Sequence, residues 1–112
     1  MKKIVLNIGG KDREFHFGIG FMGLFLEISG LKITELSKID ENPFKYDPIL
    51  IYSSAVFALQ RKGETADFSQ YDVIDWIDES DGTAVQKFKE SFVQSVTKDV
   101  PQQPENSEEA GK

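Results

Sequence analysis

An α+β domain is predicted by three features of this sequence: apolar residues at period two around a Gly-Gly pair near the N-terminus, apolar residues at helical period over most of the remainder, and a C-terminal stretch with almost nothing to bury. The expected architecture is an N-terminal β-hairpin packed on about four α-helices, forming a single domain over residues 1–98, with a disordered polar and acidic tail over 99–112.

Each element has its own local cause. Lys3 to Ile8 alternates Ile4, Leu6 and Ile8 with Val5 and Asn7, the pattern of a half-buried strand. Gly9-Gly10-Lys11-Asp12 supplies turn residues that tolerate positive φ, after which Phe15 and Phe17 alternate with Glu14 and His16 as a second strand. Such a hairpin needs a surface to pack on, because alone it is marginal in water. From Phe21 the period lengthens: Phe21, Leu24, Phe25 and Ile28 fall at helical spacing, and Gly30 stands where a C′ residue ends a helix. Ile33, Leu36 and Ile39 predict a short helix or 3₁₀ turn within 31–43.

The clearest helix is expected from Asp47 to Lys62, with Asp47 as N-cap, Pro48 at N1, and Gly63 at its end. Its apolar residues surround most of the cylinder, so it is predicted to be the buried, central packing element. Ser69-Gln70-Tyr71-Asp72 has the form of a capping box, and Tyr71, Ile74 and Ile77 recur on one face of 70–79. A last helix, 83–97, carries Val85, Phe88, Phe92 and Val96 as one stripe.

Composition bounds the function. The 112 residues, 39% of them apolar and nine of them Phe, suffice for one modest core. No cysteine is present, which excludes disulfides and thiolate metal sites and favours a reducing compartment. Met1-Lys2-Lys3 begins like a signal peptide, but Asn7, Lys11 and Asp12 interrupt it before an apolar region forms. No stretch approaches the ~18 apolar residues of a membrane span, so a soluble, cytoplasmic protein without membrane attachment is expected. Net charge is −6, the thirteen Lys and Arg are scattered, and the window Glu64 to Asp81 holds seven carboxylates and no base. Nucleic acid, which needs a basic stripe to neutralise phosphates, is therefore not an expected partner; a basic protein is admissible.

Constellations that carry chemistry are sparse. One His, expected at a solvated outward strand position, is too few for common zinc sites, and no Gly-x-Ser-x-Gly elbow accompanies any serine. Gly18-Ile19-Gly20 followed by Gly23 imitates a dinucleotide fingerprint one residue short, without the βαβ unit that gives it meaning. A sharp strand-to-helix corner with close backbone packing explains those glycines better. Asp72, Asp75, Asp78 and Glu79 lie along one helix, where like charges repel instead of converging on an ion, and the EF-hand pattern is not met. No catalytic, cofactor-binding or metal-binding residue is assigned, and no cofactor is expected. Nine Phe, three Tyr and one Trp exceed what a core this small readily holds. The candidate partner-binding residues are accordingly Trp76 and the exposed side of Phe25, with the acidic Asp72, Asp75, Asp78 and Glu79.

The order of these pieces resembles the small tail assembly chaperones of long-tailed, siphovirus-type bacteriophages and prophages. The resemblance spans roughly Ile4 to Val96. It is carried by the hairpin leading into Phe15-His16-Phe17-Gly18-Ile19-Gly20-Phe21, the central helix ending Ala58-Leu59-Gln60-Arg61-Lys62-Gly63, the Asp72-Val73-Ile74-Asp75-Trp76-Ile77-Asp78 segment, and a final amphipathic helix. Where family members tend to be charged after the corner, this chain continues Met22-Gly23-Leu24-Phe25-Leu26, which marks that helix as a candidate interaction face. The resemblance implies a non-catalytic role: coating the long, helix-rich tape measure protein, keeping it from aggregating, and helping to recruit tail tube protein, with self-association along the partner and absence from the mature virion. The alternatives are a generic protein-interaction adaptor or another phage tail or connector component.

Overall fold

The structure, a computed structural model, describes residues 3–99, with side chains placed through Ser95. The N-terminal alternation forms β1 (Lys3–Ile8) and β2 (Lys11–His16), an antiparallel pair in register from Lys3 opposite His16 to Ile8 opposite Lys11. That register leaves only Gly9 and Gly10 in the loop, both at positive φ (67° and 86°). A two-residue turn of this kind matches the twist of the strands it joins. Leu6, Ile8 and Phe15 share the buried face of the hairpin.

Gly18, at φ 124°, turns the chain from strand into α1 (Ile19–Ser29), which Gly30 closes by donating its N–H to the Leu26 carbonyl. A Cβ on Gly20 would come within 2.5 Å of the Phe57 ring, so this glycine lets α1 approach the helix that carries Phe57. Corner and close packing are thus what the Gly-x-Gly pair provides. A 3₁₀ turn (Ile33–Glu35) and the one-turn α2 (Lys38–Glu41) fill the following segment, with Ile39 buried beneath them.

Helix α3 (Pro43–Arg61) begins four residues before the expected start. Pro43 takes N1 and Asn42 the N-cap, so Asp47 is not a cap but lies inside the helix, where it accepts a hydrogen bond from Lys89 Nζ at 2.8 Å. Burial of Tyr46 and Pro48 carries the helix through the second proline despite the N–H that proline lacks. As its composition predicts, α3 is the central element. It touches α1, α2, β2 and α4, and Leu50, Ile51, Ser53 and Ser54 are almost wholly enclosed.

Helices α4 (Gln70–Glu79) and α5 (Thr83–Asp99) complete the domain, so that among the described residues five α-helices follow the hairpin. The α+β architecture is the expected one. Asp99, the first residue of the predicted tail, ends α5; the remainder of that tail and the side chain of Val96 lie outside the described residues.

The core is built from phenylalanine. Phe15, Phe17, Phe21, Phe25 and Phe88 are buried almost completely. Phe17 stands at their junction, with ring centroids 5.3 Å from Phe21, 5.3 Å from Phe88 and 6.2 Å from Phe92, in edge and tilted arrangements. Because the ring edge is positive and its face negative, such pairs gain beyond the area they bury. β2, α1 and α5 are thereby joined through one side chain.

Phe17→Ala is expected to cost about 3–5 kcal/mol in urea unfolding, a large part of a small domain's stability. Phe44→Ala, at a side chain 94% exposed, should stay within about 0.5 kcal/mol of wild type in the same measurement.

Candidate functional site

Helix α4 is docked by an aromatic and cationic stack. Arg13 lies on the inward face of β2, and its guanidinium sits 3.8 Å from the centre of the Trp76 ring and 5.5 Å from that of Phe68. Nε donates to the Ile8 carbonyl at 2.9 Å and Nη2 to the Gly9 carbonyl at 3.2 Å, so the side chain also satisfies the hairpin end. Phe68 leans on Trp76 at 5.0 Å and meets Tyr52 edge-on at 5.9 Å. Enclosure by these rings pushes the Arg13 pKa down, with Asp67 and Asp72 opposing that shift. Gly9 has a second duty here: a Cβ would fall 2.7 Å from the Trp76 indole.

This docking decides which face of α4 is buried. Val73 and Trp76 point inward, Ile77 is partly covered, and Tyr71 (80%) and Ile74 (40%) face outward. Tyr71, Ile74 and Ile77 share a face, but α4 turns Val73 and Trp76 inward instead, because Trp76 offers the larger apolar area together with a cation to stack on.

The candidate partner contacts divide accordingly. Phe25 is fully buried against Phe21 and Trp76 is 8% exposed, so neither is a surface contact. The uncharged run after the corner likewise serves the core, with Met22 and Leu26 packed against it. Asp72 is exposed but committed to the capping box: its carboxylate accepts from the Ser69 N–H at 2.8 Å, and its own N–H donates to Ser69 Oγ at 3.3 Å. Asp75, Asp78 and Glu79 remain exposed, and among the described residues none of them forms an ion pair.

A groove of about 550 Å³ opens beside Asp78, between the start of α3, α4 and the first turn of α5. Pro43, Phe44 and Pro48 line it from α3, Ile74 and Ile77 from α4, and Val85 from α5. Asp47 and Asp78 lie at its margin. Ile74 also borders a more open hollow lined by Tyr52, Ser69, Gln70 and Tyr71, a mixed polar and aromatic surface on the seam of α3 and α4. Phe44 is the most exposed member. It is held at the second position of α3 between two prolines, where the helix presents it to solvent. Other exposed apolar side chains, such as Val5 and Ile33, line neither hollow. The sequence marks Phe44 only by the Pro-Phe-x-x-x-Pro spacing around it.

The last turns of α3 cover the second face of β2. Phe57 meets the His16 ring edge-on at 6.3 Å, and Lys62 pairs with Glu14 at 3.0 Å. His16 is therefore partly buried instead of solvated, and its Nδ1 has no hydrogen-bond partner among the described residues. Burial lowers its pKa, and the nearby Arg61, Lys3 and Lys62 charges lower it further against the opposing Glu14.

Among the described residues, no group of three His, Asp or Glu side chains is placed to hold a metal ion, and no helix is long and apolar enough to cross a membrane. Compared with family models, curated proteins and solved structures, the chain has no significant match.

Two outcomes follow from this geometry. Arg13→Lys keeps the charge but loses the planar fork, so a loss of about 1–2 kcal/mol is expected in urea unfolding, with altered emission from the single tryptophan. For His16 the folded pKa lies below the unfolded value of about 6.5, so the unfolded chain takes up the proton first. Stability should fall as pH drops from about 6.5 through the folded pKa, and His16→Gln should remove that step. The later loss from Glu14, Glu35 and Asp81, whose pKa values are lowered by their hydrogen bonds, begins as pH falls through their ordinary carboxylate range, continues down through the folded pKa values, and should persist.

Proposed function

We propose that this chain is a non-catalytic tail assembly chaperone of a long-tailed phage or prophage. In this reading it works in the bacterial cytoplasm, binds and solubilises the tape measure protein, helps recruit tail tube protein, and is left out of the mature virion. The observation that carries the reading is the apolar strip along α3 and α4, whose most prominent side chain, Phe44, is 94% exposed. An exposed phenylalanine beside an apolar trough suits reversible burial of a partner's apolar surface. The order of hairpin, corner, central helix, acidic segment and amphipathic helix supports the same reading. Many copies, each binding weakly, would hold one long partner through avidity.

Co-expression with the tape measure protein of the same genome tests this. The expected result is a shift of that protein from the insoluble to the soluble fraction, in complexes containing several copies of this chain by size-exclusion and light scattering. Unchanged insolubility overturns the reading, and a fixed one-to-one complex with some other partner would favour an adaptor.

A further inference from the structure

The groove between α3, α4 and α5 has a charge as well as a shape. Asp78 stands at its margin, and Asp75 and Glu79 follow on the same exposed helix, none in an ion pair among the described residues. Lys89 is bound to Asp47 at 2.8 Å, and Lys45 lies 5.2 Å from the centre of the Tyr46 ring. The trough is thus lined mainly by apolar side chains, with one carboxylate from α4, Asp78, that no ion pair occupies among the described residues.

That combination selects among occupants. The chain's own C-terminal segment carries Glu105, Glu108 and Glu109 with Val100 as its bulkiest apolar residue, so it would repel the margin and fill little of the trough. A second copy brings a net charge of −6 to the same acids. A partner helix with an apolar stripe flanked by Lys or Arg satisfies both requirements. Its side chains at i, i+3, i+4 and i+7 would enter between Phe44 and Ile74, and its cations would meet Asp75 and Asp78.

We propose that this groove is the docking site for a basic-flanked amphipathic α-helix of the partner protein. The inference rests on the chaperone reading and adds to it the surface used and the kind of segment recognised.

The test uses the full chain and two fluorescein-labelled helical peptides of about 18 residues, sharing one leucine stripe at i, i+3, i+4 and i+7. One carries lysines beside the stripe and the other glutamates. In fluorescence anisotropy the lysine peptide is expected to bind about tenfold or more tightly than the glutamate peptide. Phe44→Ser should weaken the lysine peptide by about tenfold, and Asp75→Asn with Asp78→Asn should narrow the gap between the peptides. Because these three side chains are exposed, circular dichroism melts should match wild type. Equal binding of both peptides, no binding of either, or Phe44→Ser binding like wild type overturns the proposal. Co-expression separates the two ideas. If Phe44→Ser solubilises the tape measure protein as well as wild type does, the groove is wrong and the chaperone reading stands. If the groove binds the lysine peptide selectively while wild type leaves the tape measure protein insoluble, the chaperone reading fails and the groove stands.

Discussion

The fold depends on one ring being in contact with three others. Phe17 lies just past the end of β2 and meets Phe21 of α1 and both Phe88 and Phe92 of α5. A hairpin on its own buries too little to persist, and a single-turn helix such as α2 has no independent stability. What these elements lack locally they gain from a shared aromatic interior, which α3 closes from the other side with Leu50 and Ile51. The Gly18 corner matters for this reason: it brings α1 back over the strand within two residues of Phe17.

A second, smaller centre fixes the rest. Arg13 joins three things that are distant in sequence: the carbonyls at the hairpin end, the Trp76 ring on α4, and Phe68 in the connection before it. A planar cation can stack on a ring while its edge donates hydrogen bonds, which no apolar residue could do at that position. With the indole drawn inward, Tyr71 and Ile74 are turned outward, and the apolar strip beside Phe44 follows from that rotation. The exposed apolar strip is in this sense a by-product of how α4 is anchored.

Legibility in the sequence follows the range of the cause. The hairpin, its Gly-Gly turn, the Gly30 stop and the Ser69–Asp72 capping box are set by neighbours a few residues away, and all are readable in order. The start of α3 was displaced because Asp47-Pro48 and Asn42-Pro43 are equally good local signals, and only tertiary burial of Tyr46 and Pro48 decides between them. The rotation of α4 was not readable, since Trp76 is drawn in by an arginine sixty-three positions earlier. Of the residues expected to meet a partner, Asp72, Asp75, Asp78 and Glu79 are exposed and Asp78 lines the groove, while Phe25 and Trp76 belong to the interior. An excess of aromatics signals that some must be exposed; it does not say which.

The walls of the groove lie far apart in sequence, Pro43 to Pro48 on α3 and Ile74 to Ile77 on α4. The trough therefore exists only in the folded chain, and unfolding separates its halves. Any ligand that fits it acts as a thermodynamic clamp, raising the melting temperature in proportion to the logarithm of its concentration above the dissociation constant. A small domain with a thin stability margin would be most robust while occupied and most easily degraded once released.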